Sequence, residues 1–367
     1  MLPVIVIVFA SCEKSVSPLS GVSFSDSVKI REFPFKKISH KRPLIELTEQ
    51  EKEFIWNFAS LPTHHEELGL SYILHYLKVY AEKPEQYQKE TEYLLSVIQK
   101  EDVGKNVLGT PVFFTSKFGI SIVSGKTKRS QETHRDQGMA ELGLLGIPSS
   151  FEVEISEKIY PLSDAIRECA ANFYLEEKEL AWSAIVLALY LPPIQEWTNR
   201  FGEKCSFDAL AIELMKQRFE ENSCAGAHLL ESLTLIYEIS LECPILSFEV
   251  QNQLKKYLHD ILTTVIHEQN IAGYWELDWF VKIPDYGQPF QNPHVWTPSV
   301  DSESRLLATC HLVEWMLDLP EEFDVPNETL KKAGMWMLNH LKTKKYGENT
   351  PICPYAHVVR DLELLGM

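Results

Sequence analysis

The chain has 367 residues, 45% apolar and 24% charged, a globular composition too apolar for general disorder. Thirty-five Lys and Arg against 52 Asp and Glu give a net charge of −17. So acidic a surface repels phosphate backbones, and the short run Lys126-Thr127-Lys128-Arg129 reads as a solvated loop, so nucleic acid is excluded as a partner.

Residues 2–11, LPVIVIVFAS, match the apolar region of a signal peptide and are too short to span a bilayer. Cys12 follows Phe9-Ala10-Ser11, as in a bacterial lipoprotein cleavage box, although no Lys or Arg precedes the run. A buried strand is the other reading. The expected organisation is a signal or lipoprotein segment 1–12 lipidated at Cys12, a tether 13–45 and one helical domain 46–367. That places the protein on the periplasmic side of a bacterial cell envelope, touching the membrane only through its lipid anchor. The remaining cysteines are Cys169, Cys205, Cys224, Cys243, Cys310 and Cys353; an oxidising compartment could pair some of them, with the connectivity open.

After residue 45 the apolar spacing is helical. Helices are expected from Thr48, with Glu51 completing a capping box, then over 66–82, 84–100, 134–146, 163–175, 178–191, 207–219, 225–240, 247–269, 303–319, 327–343 and 354–366. Between 101 and 130 the Gly, Thr, Ser and β-branched content reads as non-helical, with a short β-hairpin near 108–124. Residues 270–302 read as a long irregular insertion.

The twelve helices alternate in character. Those starting near 66, 134, 178, 225, 303 and 354 are apolar on most faces; those near 48, 84, 163, 207, 247 and 327 carry a polar stripe. Six buried helices alternating with six surface helices predict an all-α fold, an (α/α)6 toroid with an inner and an outer ring. An open solenoid of helix pairs is the alternative. His134 to Trp182 is 48 residues, Trp182 to His228 is 46 and His311 to His357 is 46, each the length of one helical hairpin with its turns.

Five of the six inner helices carry a histidine: His75, His134, His228, His311 and His357. The other has Trp182. In a toroid the inner helices run parallel, so these residues gather at one mouth, near the positive helix ends, where the imidazoles are expected to stay neutral. There they could act as bases or bind metal. Cys224 with His228, and Cys353 with His357, are four apart and would share a helix face. Cys224 and His228 could therefore hold one zinc ion, although no CxxC or HExxH spacing is present. Helix capping is the plainer reading of each histidine, and small core residues that of each cysteine. Asp136 would either orient a histidine or favour its helix N-terminus.

Glu276, Asp278, Asp285, Asp301 and Glu303 lie in or beside the insertion, among Trp275, Trp279, Tyr286 and Trp296. Acids among aromatic walls describe a carbohydrate cleft, and equally a surface loop. Phosphate loops, serine elbows and dinucleotide fingerprints are absent.

The stretch Gln269-Asn-Ile-Ala-Gly273-Tyr-Trp275 resembles the Gln…Gly-x-Trp signature of terpenoid-cyclase and prenyltransferase toroids, where it closes an outer helix against the next inner one. The Asp-x-Asp-Asp acid of protonating cyclases and the Asp-x-Cys…His zinc set of protein prenyltransferases are missing, so those activities are not implied. From about residue 66 onward, HRDQGMAELGLLGIP, ELAWSAIVLALYLPP, SCAGAHLLESL, RLLATCHLVEWMLDLP and CPYAHVVRDLELL in order resemble a family of uncharacterised planctomycete-type bacterial envelope proteins. That resemblance implies the fold and the location and assigns no reaction.

The expectation is an envelope α/α-toroid enzyme or ligand-binding protein. Its cavity is lined by His134, His228, His311 and His357, with Trp182, Trp275, Asp278 and Trp296 on the ligand. The ligand is a polyprenyl, terpenoid or saccharide molecule, and zinc is the candidate cofactor. The alternatives are a non-catalytic scaffold and a polysaccharide hydrolase or lyase using acids of the insertion.

Overall fold

A computed structural model describes residues 28–37, 39–61, 68–125, 128–193, 196–283, 301–344 and 352–366. Residues 1–12 with Cys12, and Asp285, Tyr286 and Trp296, lie outside the described residues. Among the described residues, thirteen α-helices carry the fold. They are α1 (Glu49–Asn57), α2 (Leu70–Tyr80), α3 (Gln88–Gln99), α4 (Glu101–Leu108), α5 (Gln137–Leu144), α6 (Ser163–Asn172), α7 (Leu180–Tyr190), α8 (Phe207–Lys216), α9 (Ala227–Glu242), α10 (Phe248–Glu268), α11 (Ser302–Asp318), α12 (Asn327–Lys342) and α13 (Ile352–Leu365).

Their starts follow from local chemistry. Thr48 and Glu51 form the reciprocal capping box that opens α1. Ser206, Ser247 and Asp301 accept from the free N–H groups of α8, α10 and α11. The reading of 101–130 as non-helical is corrected by α4. Acids occupy its first turn, Lys105 its last, and Gly109 closes it at φ 82°. Gly104, which argued against a helix, is needed for packing: a Cβ there would stand 2.9 Å from the Val97 carbonyl oxygen of α3.

The hairpin expected near 108–124 is present. Strand β1 (Phe113–Thr115) pairs antiparallel with β2 (Ile120–Ile122). Two further short hairpins, β3 (Glu152–Ile155) with β4 (Lys158–Pro161) and β5 (Trp197–Thr198) with β6 (Lys204–Cys205), were not foreseen. They are too short for a period-2 pattern to register.

Every residue of α7 is buried, as are most of α2, α5, α9 and α11. α2 packs on α5, α5 on α7, α7 on α9, α9 on α11, α11 on α13, and α13 on α2. The amphipathic helices lie against these six: α1 on α13, α3 on α2, α6 on α7, α8 and α10 on α9, α12 on α11 and α13.

Residues 28–37 and 39–45, within the stretch read as a tether, form a strap across helix ends. Its backbone N–H groups donate to last-turn carbonyls: Arg31 to Tyr190 and Phe35 to Leu189 on α7, His40 to Leu317 on α11, and Arg42, Leu44 and Ile45 to Leu364 and Leu365 on α13. Those carbonyls have no partner within their own helices, so the strap caps three helices at once.

Candidate functional site: a buried histidine and cysteine centre

One ring from each of the six mutually packed helices, or from the turn leading into it, joins a continuous chain of contacts. His134 lies 6.1 Å from Trp182, centroid to centroid; Trp182 lies 4.2 Å from His228, His228 5.3 Å from His311, His311 4.1 Å from His357, and His357 5.2 Å from His75. His75, His228, His311 and His357 are buried, their exposure running from 8% at His75 to 2% at His357.

The imidazoles share one polarity. In each the Nδ1 meets an acceptor: Ser71 O for His75 at 2.6 Å, Glu231 for His228 at 2.9 Å, Leu307 O for His311 at 2.9 Å, Glu314 for His357 at 2.5 Å and Glu179 for His134 at 2.7 Å. Carbonyls and carboxylates only accept, so Nδ1 donates and Nε2 is left as the other ring nitrogen. The Nε2 atoms of His311 and His357 are buried with no hydrogen-bond partner.

Two cysteines complete the cluster. Donor atoms of His75, Cys353 and His357 lie within 4.8 Å of one another, and so do those of Cys224, His228 and His311. The Cys224 thiol hydrogen-bonds to Cys353. That bond, with burial, pushes Cys224 well above the usual thiol range. The same bond, against burial and with help from His357 and His75, holds Cys353 well below it. Burial drives His311 down to about 3, with His357 adding to the effect. At His357 burial acts in the same direction, but Glu314 and Cys353 outweigh it and bring the ring up to about 10. The expectation of neutral imidazoles from helix dipoles is therefore corrected at His357: a carboxylate and a thiolate in contact outweigh a helix end.

The expected helix face shared by Cys224 and His228 is corrected too. Cys224 and Ala225 have φ 52° and 53°, in a tight turn before α9. Cys353 also departs from helical geometry, being extended at φ −89° and ψ 124°. Both sulfurs reach the centre from kinked segments. The paired non-glycine left-handed residues are a local strain of the kind kept at functional sites. All six described cysteines are free thiols. Cys310 is no ligand candidate by geometry, since its thiol donates to Leu307 O.

One turn along each helix lies a charged layer. His75 is followed three residues on by Lys78, His228 by Glu231, His311 by Glu314 and His357 by Arg360. Glu231, Glu314 and Asp318 form a third compact group of possible ligands. It is filled by cations from the protein. Lys37 of the strap stands 2.7 Å from Glu231 and 2.6 Å from Asp318; Lys78 and Arg360 stand 2.7 and 2.9 Å from Glu314. Against the effect of burial, Lys37 and Lys78 hold Glu231 well below the ordinary range; Lys78, His357 and Arg360 do so for Glu314. These carboxylates, Lys37, Lys78 and Arg360 were missed as site residues in the sequence. For Lys78, Glu231, Glu314 and Arg360 the signal was a charge three residues after a histidine, in otherwise apolar helices.

The remaining expected residues are placed as follows. Trp182 joins the ring chain, its indole N–H on Ser223. His134 sits at the half-buried end, beside Glu179. Asp136 does not touch a histidine in any described bond; it accepts from Ser183 and Cys169. Trp275 is fully buried, donating from its indole to Val265 O and from its backbone to Thr309. It is therefore packed between α10 and α11. Gln269 of the same motif donates to Gly273 O and Thr329 O. Asp278 opens a single 3-10 turn at Trp279–Lys282. Around the insertion, Glu276 forks onto Arg305, Glu303 binds Lys344 and Tyr355, and Asp301 caps α11. Compared with known proteins, the chain matches no family model, no curated protein and no solved structure.

Proposed function

We propose that this chain is an α/α toroid of the bacterial cell envelope that carries a transition-metal centre, zinc in the first instance, where Cys224, Cys353, His75, His228, His311 and His357 meet. The toroid reading is supported by the packing that passes from α2 around to α13 and returns to α2. The envelope location rests on the apolar run before Cys12.

One observation carries the metal reading. Four buried imidazoles each fix Nδ1 on a carboxylate or backbone carbonyl and leave Nε2 for the cluster with two thiols. That is the outer-shell arrangement that orients histidine ligands, and thiolate with imidazole is the donor set that selects zinc or copper. A bound zinc would supply a Lewis acid for hydrolytic or group-transfer chemistry.

The test is elemental analysis of the chain from residue 13 onward, purified without chelator and under reducing conditions. At least one zinc per chain supports the reading. No metal, with none taken up on adding zinc to reduced protein, overturns it.

A further inference from the structure

The six donors divide into two trios of the same construction. In the first, Cys353 precedes His357 by four residues, His357 donates Nδ1 to the carboxylate of Glu314, and His75 donates Nδ1 to the carbonyl four residues before it. In the second, Cys224 precedes His228 by four, His228 donates Nδ1 to the carboxylate of Glu231, and His311 donates Nδ1 to the carbonyl four residues before it. Each trio thus has one sulfur, one imidazole backed by a carboxylate and one backed by a helix carbonyl. Each also contains a buried Nε2 atom without a hydrogen-bond partner, His357 in the first and His311 in the second.

A single tetrahedral ion uses four ligands and would leave two of these six unused. Two such imidazoles would then keep their Nε2 in a buried cluster without a partner, which burial penalises. Duplication of the whole arrangement, down to the group behind each ring, has no role in a single-ion site. The trios also touch. The Cys224 thiol meets Cys353, and the His311 and His357 rings are 4.1 Å apart between centroids. Each sulfur therefore lies beside the other trio, where a thiolate can serve both ions. The two carboxylates, one behind each trio, come within 4.8 Å of each other in the charged layer one turn along, so both trios are backed from the same side.

We infer that the centre is binuclear: one ion sits in the His75–Cys353–His357 trio, a second in the Cys224–His228–His311 trio, with the two sulfurs on the shared edge. This rests on the metal reading above and fails separately from it. It also sets apart the acidic trio Glu231, Glu314 and Asp318, whose place for a cation is taken by Lys37, Lys78 and Arg360.

The experiment is a titration of the reduced, chelator-stripped chain with Co(II) and, separately, Zn(II). It is read by thiolate-to-cobalt absorption and by metal retained after gel filtration. Two ions per chain are expected, and the cobalt absorption should rise until the second equivalent. Two half-site variants keep both thiols: His228→Ala with His311→Ala, and His75→Ala with His357→Ala. Each should retain one ion, with far-ultraviolet circular dichroism unchanged. One ion in the unaltered chain, lost entirely in either variant, overturns the binuclear centre and leaves a single shared site. No ion in the unaltered chain removes both readings. The stoichiometry of the unaltered chain decides the matter even where a variant fails to fold.

Discussion

Lys37→Met probes how firmly the strap is tied to the centre. The Lys37 side chain is only 8% exposed, and its ammonium lies 2.7 Å from Glu231 and 2.6 Å from Asp318, both of which are buried. Met fills a similar volume, so the change removes charge with little loss of packing. Breaking a buried ion pair by deleting one partner costs about 3–5 kcal/mol, because the other charge stays behind. Unfolding entropy of about 2.1 cal/mol/K per residue over roughly 300 described residues is about 0.6 kcal/mol/K, so Tm should fall by about 5–8 °C. The pH dependence has a definite sign. Burial raises Glu231, but Lys37, Lys78 and His228 together hold it well below its ordinary value. A carboxylate depressed in the folded state contributes stability above its unfolded pKa, about 4.3, and loses it as pH falls toward the folded value. The gap between variant and parent should therefore be full at pH 7 and shrink below about pH 4.3. Thermal unfolding followed by circular dichroism at pH 7 and pH 4 reads both. Adding Glu231→Gln and Asp318→Asn to Lys37→Met should recover part of the loss. A fall below about 1 °C at pH 7 would refute the reasoning, since it would mean that Lys78 and Arg360 alone neutralise the acids.

Cys353 should be the fastest of the six thiols to react with iodoacetamide at pH 7 in metal-free protein, and Cys169 and Cys310 the slowest, since burial pushes both well above the usual range; peptide mapping that finds the thiols equally reactive counts against the thiolate, and zinc should protect Cys353. Glu231→Gln should weaken zinc binding about 10–100-fold, because it alters the group behind His228; unchanged affinity in a competition assay would show that His228 needs no such support. Gly273→Ala should destabilise by about 1–3 kcal/mol, because Gly273 has φ 105° and its Cβ would run into the Lys332 carbonyl of α12; an unaltered Tm would mean that the turn following α10 adjusts freely.

Helix placement was legible because burial and helical period agree. The run ELAWSAIVLALYL has no polar stripe, and α7 is buried along its whole length. The convergence of the histidines was legible for the same reason, as one position recurring at the length of a helical hairpin. Other features were hidden by what a linear reading assumes. Cys224 and His228 looked like neighbours on one helix face, yet a left-handed turn separates them. Partners from distant segments left no local mark: Lys37 precedes Glu231 by 194 residues, and Glu314 precedes His357 by 43. Trp275 among acids looked like a sugar platform because composition does not distinguish a wall from a wedge. Its indole N–H on Val265 O decides for the wedge. The strongest unread signal was the repeat of histidine followed three residues later by a charge. An isolated charge in an apolar helix needs a partner, and four at one register need each other.

The strap extends that argument to where the fold begins. Composition puts the boundary at residue 46, yet residues 28–45 supply three things the helices cannot. Lys37 neutralises Glu231 and Asp318, Ser39 bridges Asp318 and Arg360, and backbone N–H groups cap α7, α11 and α13. Without them the acidic layer keeps Lys78 and Arg360 but loses the cation between Glu231 and Asp318. Glu231 also fixes His228, so the loss reaches the histidine and cysteine cluster through a single carboxylate. The deficit exceeds that of Lys37→Met, because uncapped carbonyls and exposed apolar helix ends add to about 3–5 kcal/mol from the broken pairs. Total stability of a domain is about 5–15 kcal/mol. A fragment starting at residue 46 should therefore be largely unfolded or bind zinc poorly. A synthetic peptide of residues 28–45 should restore part of both, as read by circular dichroism and zinc retention. A fragment as stable as the full chain would show that the acidic layer closes without its cation, and would sever the link from strap to histidine cluster.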